Sequence, residues 1–232
     1  MKRLLLILAS TFPFHSSAND TLVESIERFT DIFGISFSKV DDSTVATLDA
    51  NYRMTDDFRV FGDIDTDLNW EVGVGYSFWQ GSTYYTENTF KASENKLTTG
   101  IFAAKLLHED WTLIGDINYN YKFEQEQCYD FRNLICTPSD SIEYNAGLMW
   151  SPVKYADLLL KYNQEIGVKN NEYYLDIPAT GNRISQSDKT NLQYYELVTF
   201  INIKYLKPSI TYSYFPENTD KNYVEFGLAF DF

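Results

Sequence analysis

From Trp111 to Phe123 the chain alternates without a break. Trp111, Leu113, Gly115, Ile117, Tyr119, Tyr121 and Phe123 hold one set of positions, and Thr112, Ile114, Asp116, Asn118, Asn120 and Lys122 hold the other. A β-strand points successive side chains to opposite faces, so this segment predicts a strand with one apolar and one mostly polar face. The pattern recurs in Leu68 to Phe78, in Ile142 to Trp150 and in Val224 to Phe232. Extended to the whole chain, it predicts about twelve strands: 31–40, 44–53, 58–65, 68–78, 83–92, 97–107, 111–123, 141–151, 157–169, 191–205, 209–215 and 222–232. Most are close to the length a tilted strand needs to cross a bilayer.

The connections also alternate. Short turns fall at 54–57, 79–82, 108–110, 152–156 and 206–208, and the intervening connections include long stretches at 124–140 and 170–190. Short turns at one end and long loops at the other are the layout of a transmembrane barrel, with the short turns periplasmic. A soluble sandwich would alternate as well. Two features favour the barrel. Aromatics make up 17% of the residues, and Tyr52, Trp70, Trp111, Trp150 and Tyr205 fall near strand ends, where a ring meets the membrane interface. The opposite faces carry acids and bases together, as a hydrated lumen would. A closed antiparallel up-and-down barrel also satisfies every backbone donor and acceptor in lipid.

The N-terminus reads as an export signal. Lys2 and Arg3 precede a short apolar stretch from Leu4 to Phe14, and Ser16-Ser17-Ala18 supplies the small residues of a cleavage site, so residues 1–18 are expected to be removed. Residues 19–30 then form a leader or short plug helix, with Leu22, Ile26 and Phe29 along one side, and 31–232 the barrel domain.

The signal segment, the Thr55-Asp56-Asp57 turn and the ending Tyr223-Val-Glu-Phe-Gly-Leu-Ala-Phe-Asp-Phe232 together resemble a Gram-negative outer-membrane β-barrel protein. The resemblance implies an outer-membrane location, with lipid and lipopolysaccharide as surroundings. It also implies recognition by the barrel assembly machinery through Phe226, Phe230 and Phe232. In layout the chain is similar to small twelve-stranded porins for acidic oligosaccharides. Those have lumens rich in Arg and Lys, and this sequence departs from them there.

The inward register holds the acids Asp49, Asp63, Asp65, Glu71, Glu87, Asp116, Glu143, Glu165, Glu196, Glu225 and Asp231, and the bases Arg53, Arg59, Lys91, Lys105, Lys122, Lys161 and Lys204. Of these, Asp49, Arg53, Arg59, Asp63, Asp65, Glu71, Asp116, Lys122, Glu143, Lys161, Glu196 and Lys204 are the expected selectivity residues. Carboxylates predominate, so an open pore is expected to favour cations or neutral solutes. The alternative is a closed, non-conducting barrel with a structural, adhesive or partner-binding role. Asp63-Ile-Asp65-Thr-Asp67 resembles the start of a calcium loop, but Leu68 stands where that loop needs Gly, so the triad reads as an acidic rim and no metal is assigned. Cys128 and Cys136 lie in one long loop, and export to an oxidising compartment predicts a disulfide between them.

Other functions are excluded by composition. The formal net charge of −14 opposes nucleic-acid binding. Two cysteines and two histidines leave no zinc framework, and no cofactor is expected. His108 sits in a short turn, and no G-x-S-x-G or H-E-x-x-H motif occurs, so no enzyme is expected.

Overall fold

A computed structural model describes residues 32–40, 43–123, 134–153, 155–177, 182–203 and 205–231. The expected signal segment and the 19–30 leader lie outside the described residues, as do Cys128, Lys204 and Phe232. The strands are β1 (Ile32–Val40), β2 (Ser43–Arg53), β3 (Phe58–Asp65), β4 (Trp70–Gln80), β5 (Tyr84–Ser93), β6 (Lys96–His108), β7 (Trp111–Lys122), β8 (Leu134–Thr137), β9 (Ser141–Val153), β10 (Ala156–Gly167), β11 (Asn171–Ile177), β12 (Asn182–Asp188), β13 (Asn191–Ile201), β14 (Leu206–Tyr214) and β15 (Tyr223–Asp231).

Twelve of them close a barrel in the order β1-β15-β14-β13-β10-β9-β7-β6-β5-β4-β3-β2, antiparallel throughout. The seam is the β1–β15 pair, in register from Ile32 opposite Asp231 to Ser38 opposite Glu225. Closure leaves no unpaired strand edge, which is what lets the backbone sit in lipid. The β2–β3, β4–β5, β6–β7, β9–β10 and β13–β14 turns share one end with the start of β1 and the end of β15. We call this the short-turn end. Three register shifts, at Ser77/Trp79, Leu106/His108 and Ala156/Leu158, all fall there, as bulges at a barrel rim do.

The outer surface is apolar between two aromatic rows. Leu48, Val72, Phe90, Ile101, Ile117, Leu160, Leu197 and Ile210 are exposed along it. Tyr52, Trp79, Tyr84, Trp111, Trp150 and Tyr205 ring the short-turn end, while Trp70, Tyr119, Tyr121, Tyr195, Tyr212 and Tyr214 ring the other. Trp111 and Trp150 are directly paired across β7 and β9 and stack at 5.7 Å between centroids. Such a surface is stable only in a bilayer, with the rings at its two interfaces.

The stretches expected to be long loops contain further strands. β8, β11 and β12 form a three-stranded sheet in the order β12-β11-β8. Asn171 joins this sheet to the barrel. Its Nδ2 donates to Thr190 Oγ1 (3.1 Å) and Asp188 Oδ1 (2.8 Å), and its Oδ1 accepts from the Ser139 N–H (2.9 Å). The β10–β13 hairpin thus continues outward as β11–β12 instead of dissolving into coil. Cys136, in β8, is buried and disulfide-bonded.

The expected turn at 206–208 is corrected. Leu206, Lys207 and Pro208 belong to β14, opposite Phe230, Ala229 and Leu228, so the turn is complete before Leu206. Pro208 marked a turn in the sequence because it has no N–H to give a ladder. At the start of the strand it is tolerated, and Leu206, Pro208, Ile210, Tyr212 and Tyr214 share the outward face.

Candidate functional site in the barrel interior

The inward positions form a layered polar interior in which most cations are bound by acids. Toward the short-turn end, Arg59 of β3 reaches past β4 to Glu87 of β5. Its Nε donates to Oε2 at 2.7 Å and its Nη2 to Oε1 at 2.6 Å. Gly75 makes this possible, because a Cβ there would stand 2.6–2.7 Å from the Glu87 carboxylate. Tyr85 also donates to Glu87 (2.9 Å), and Arg59 lies over the Phe61 ring at 4.5 Å.

Toward the long-loop end, Glu71 faces Lys91 at 3.4 Å and Lys96 at 3.7 Å. Lys122 donates to Glu165 at 2.6 Å, and Ser141 adds a second hydrogen bond of 2.6 Å to the same oxygen. Lys161 pairs with Glu196 at 3.2 Å, supported by Asn163 at 3.1 Å. Asp116 accepts from Asn118 (2.6 Å) and Asn145 (2.7 Å), and Glu143 from Asn120 (3.5 Å).

Three further inward carboxylates lie around β1. Asp49, Asp63 and Glu225, like Asp65, Asp116 and Glu143, form no ion pair among the described residues. The three sit on β2, β3 and β15, on either side of β1. Asp49 and Asp63 are cross-strand partners, and Asp49 lies over Gly34, where any Cβ would collide with its carboxylate. Glu225 hydrogen-bonds Ser36 of β1. All three are half-buried, whereas the paired Glu71, Glu87, Glu165 and Glu196 are buried.

Two other expected lumen residues serve the rims. Arg53 gives its guanidinium to the carbonyls of Thr55 (3.1 Å) and Asp56, closing the β2–β3 turn. Asp65 accepts from the N–H groups of Asp67 (2.8 Å) and Asn69 (3.0 Å) and from Asn69 Nδ2 (2.8 Å). This holds the β3–β4 turn, and Leu68 adopts φ 63° within it instead of beginning a strand. The charge list needs one removal and three additions, one of them Asp157 of β10, which is buried on the inward face with Leu159 and Lys161. Lys105 faces outward, its ammonium 5.0 Å from the Tyr84 ring, where a long basic side chain can reach the interface. Lys96 and Lys207 face inward and are buried. The alternation through Ile101, Ala103 and Lys105 is the signal that places Lys105 outside. Of the expected assembly residues, Phe226 is 56% exposed on the outer face and Phe230 is half-buried.

Sequence reasoning also missed an apolar cluster inside the barrel. Tyr85, Ala104, Ile114, Met149, Leu159, Val198 and Phe200 are buried together at inward positions toward the short-turn end. The runs Leu158-Leu159-Leu160 and Leu197-Val198 were the available signal: strands apolar on both faces are dry on both.

A closed antiparallel barrel with a lipid-facing apolar belt and a charged interior defines a transmembrane β-barrel. No family model and no curated protein matches the sequence. Among solved structures the fold is similar to the NanC porin (9% identity, 87% of this chain and 98% of that chain, TM-score 0.61). It is also similar to the KdgM porin (10%, 87% and 99%, 0.59) and to an outer-membrane channel from Pseudomonas putida F1 (13%, 87% and 94%, 0.59). At such identities the likeness is one of fold. The expected kinship in layout with twelve-stranded porins therefore holds for the architecture.

Proposed function

We propose that this protein is an outer-membrane diffusion channel that favours cations or neutral solutes over anions. One observation carries the reading. Most interior cations are matched by acids, while among the described residues Asp49, Asp63 and Glu225, like Asp116 and Glu143, form no ion pair, and the first three line the half-exposed β15–β1–β2–β3 wall. Uncompensated carboxylates beside water attract cations and repel anions, and a narrow low-dielectric passage strengthens the effect. The apolar belt, the aromatic rows and the export signal support the outer-membrane location. The KdgM porin has been solved in complex with disordered oligogalacturonate. The present interior opposes a polyanion of that kind at the same wall. Among the described residues the single histidine, His108, is exposed beside the β6–β7 turn.

The buried apolar cluster favours a second reading, a non-conducting barrel acting through its outer surface. Planar-bilayer recording of the purified protein under a potassium chloride gradient decides between them. Stepwise current with a cation-directed reversal potential is expected. A folded but silent barrel, or an anion-directed potential, overturns the channel reading.

A further inference from the structure

A water-filled barrel leaves its inward side chains partly wet, yet part of this interior is dry. Met149 and Leu159 are 1% exposed, Phe200 2% and Val198 0%. Such burial at inward positions means that other side chains, not water, occupy the space in front of them. Met149, Leu159 and Val198 are direct neighbours across β9, β10 and β13. Ile114 and Leu159 lean toward one another over Gly147, where an added Cβ would stand 3.0 Å from each. Phe200 packs at one end and Tyr85 at the other, so the cluster reaches from β5 to β13. It touches Ala229 of β15 but includes no residue of β1, β2, β3 or β4.

We infer that this cluster is the constriction of the passage. It fills the interior against the β5–β13 wall toward the short-turn end and confines water and solute to a lane along β15, β1, β2 and β3. Apolar side chains then set the bore, because water leaves a narrow apolar constriction. Asp49, Asp63 and Glu225 set the sign of the ions in the lane that remains. The inference rests on the channel reading, and its test separates the two.

The test compares single-channel conductance of the full-length wild-type protein with that of the Met149→Ser/Leu159→Ser double variant. Folding is verified by the mobility difference between heated and unheated samples on gels. Smaller, polar side chains should widen and wet the constriction, and conductance should rise about twofold or more with a weaker preference for cations. Leu159→Asn, branched at Cγ like leucine but polar, is the second variant if the double one does not fold; it should also raise conductance by wetting the cluster. Unchanged conductance in a folded variant overturns the constriction and leaves the channel reading standing. A silent wild type with a conducting variant supports the constriction and ends the open-channel reading. Silence in both, with folding verified, overturns both.

Discussion

Arg59 and Glu87 lie two strands apart, yet form a two-pronged ion pair over Gly75, the inward residue of β4 opposite Arg59. Each side chain is almost wholly buried. The pair therefore ties β3 to β5 independently of the hydrogen-bond ladder. A buried pair contributes little over an apolar substitute of the same shape, but removal of one member leaves a charge without its counterion. Glu87→Ala is expected to destabilise the barrel by about 3–5 kcal/mol, and the double replacement Arg59→Met/Glu87→Leu by clearly less. Urea unfolding in detergent micelles, followed by tryptophan fluorescence, measures both. Equal losses in the two variants would show that the pair is not the source of the effect.

The uncompensated carboxylates predict a selectivity that substitutions should titrate. Asp49→Asn, Asp63→Asn and Glu225→Gln each remove one negative charge from the half-exposed wall. Each is expected to move the reversal potential toward zero, with the triple variant moving furthest. Raising the salt to about 1 M should shrink the wild-type preference, because the screening length falls to about 3 Å. Glu165→Gln, by contrast, frees Lys122 and should shift the potential in the anion direction through a newly unpaired cation.

The outer surface predicts a cost that depends on depth. Leu160 is 57% exposed in the middle of β10, flanked by Leu148 and Leu197. Leu160→Arg should destabilise the folded barrel in phospholipid vesicles by about 2–4 kcal/mol. Val153 is as exposed but ends β9 at the short-turn rim, so Val153→Arg should cost no more than about 1 kcal/mol. Reversible denaturant titrations in thin-bilayer vesicles compare the two.

The β3–β4 turn offers a stabilising change. Leu68 is 74% exposed with φ 63°, a left-handed conformation that costs a residue with a Cβ about 1–2 kcal/mol. Leu68→Gly should raise stability by up to about 1 kcal/mol after the greater chain entropy of glycine is allowed for. Asp65→Ala removes the acceptor of three hydrogen bonds in the same turn and should lower it. Thermal unfolding of both variants in one detergent settles the signs.

The sequence by itself determined the number of barrel strands, nearly every barrel-strand position and the face most side chains take. Each strand of this barrel separates two solvents, so hydrocarbon and lumen write a period of two directly into the order of residues. Departures arose where a local rule met a longer-range one. Pro208 looked like a turn because it lacks an N–H, and Lys105 looked inward because it is charged; register put both on the outer face. The 124–140 and 170–190 stretches gave no repeat long enough to reveal the outer sheet that β8 forms with β11 and β12. Only the tertiary structure decided which charges meet. Arg59 and Glu87, like Lys122 and Glu165, are partners on strands that are not neighbours, and no pattern within a strand encodes that distance. It also decided that Met149, Leu159, Val198 and Phe200 converge inside the barrel. Periodicity reports which way a side chain points, whereas closure and register determine what it finds there.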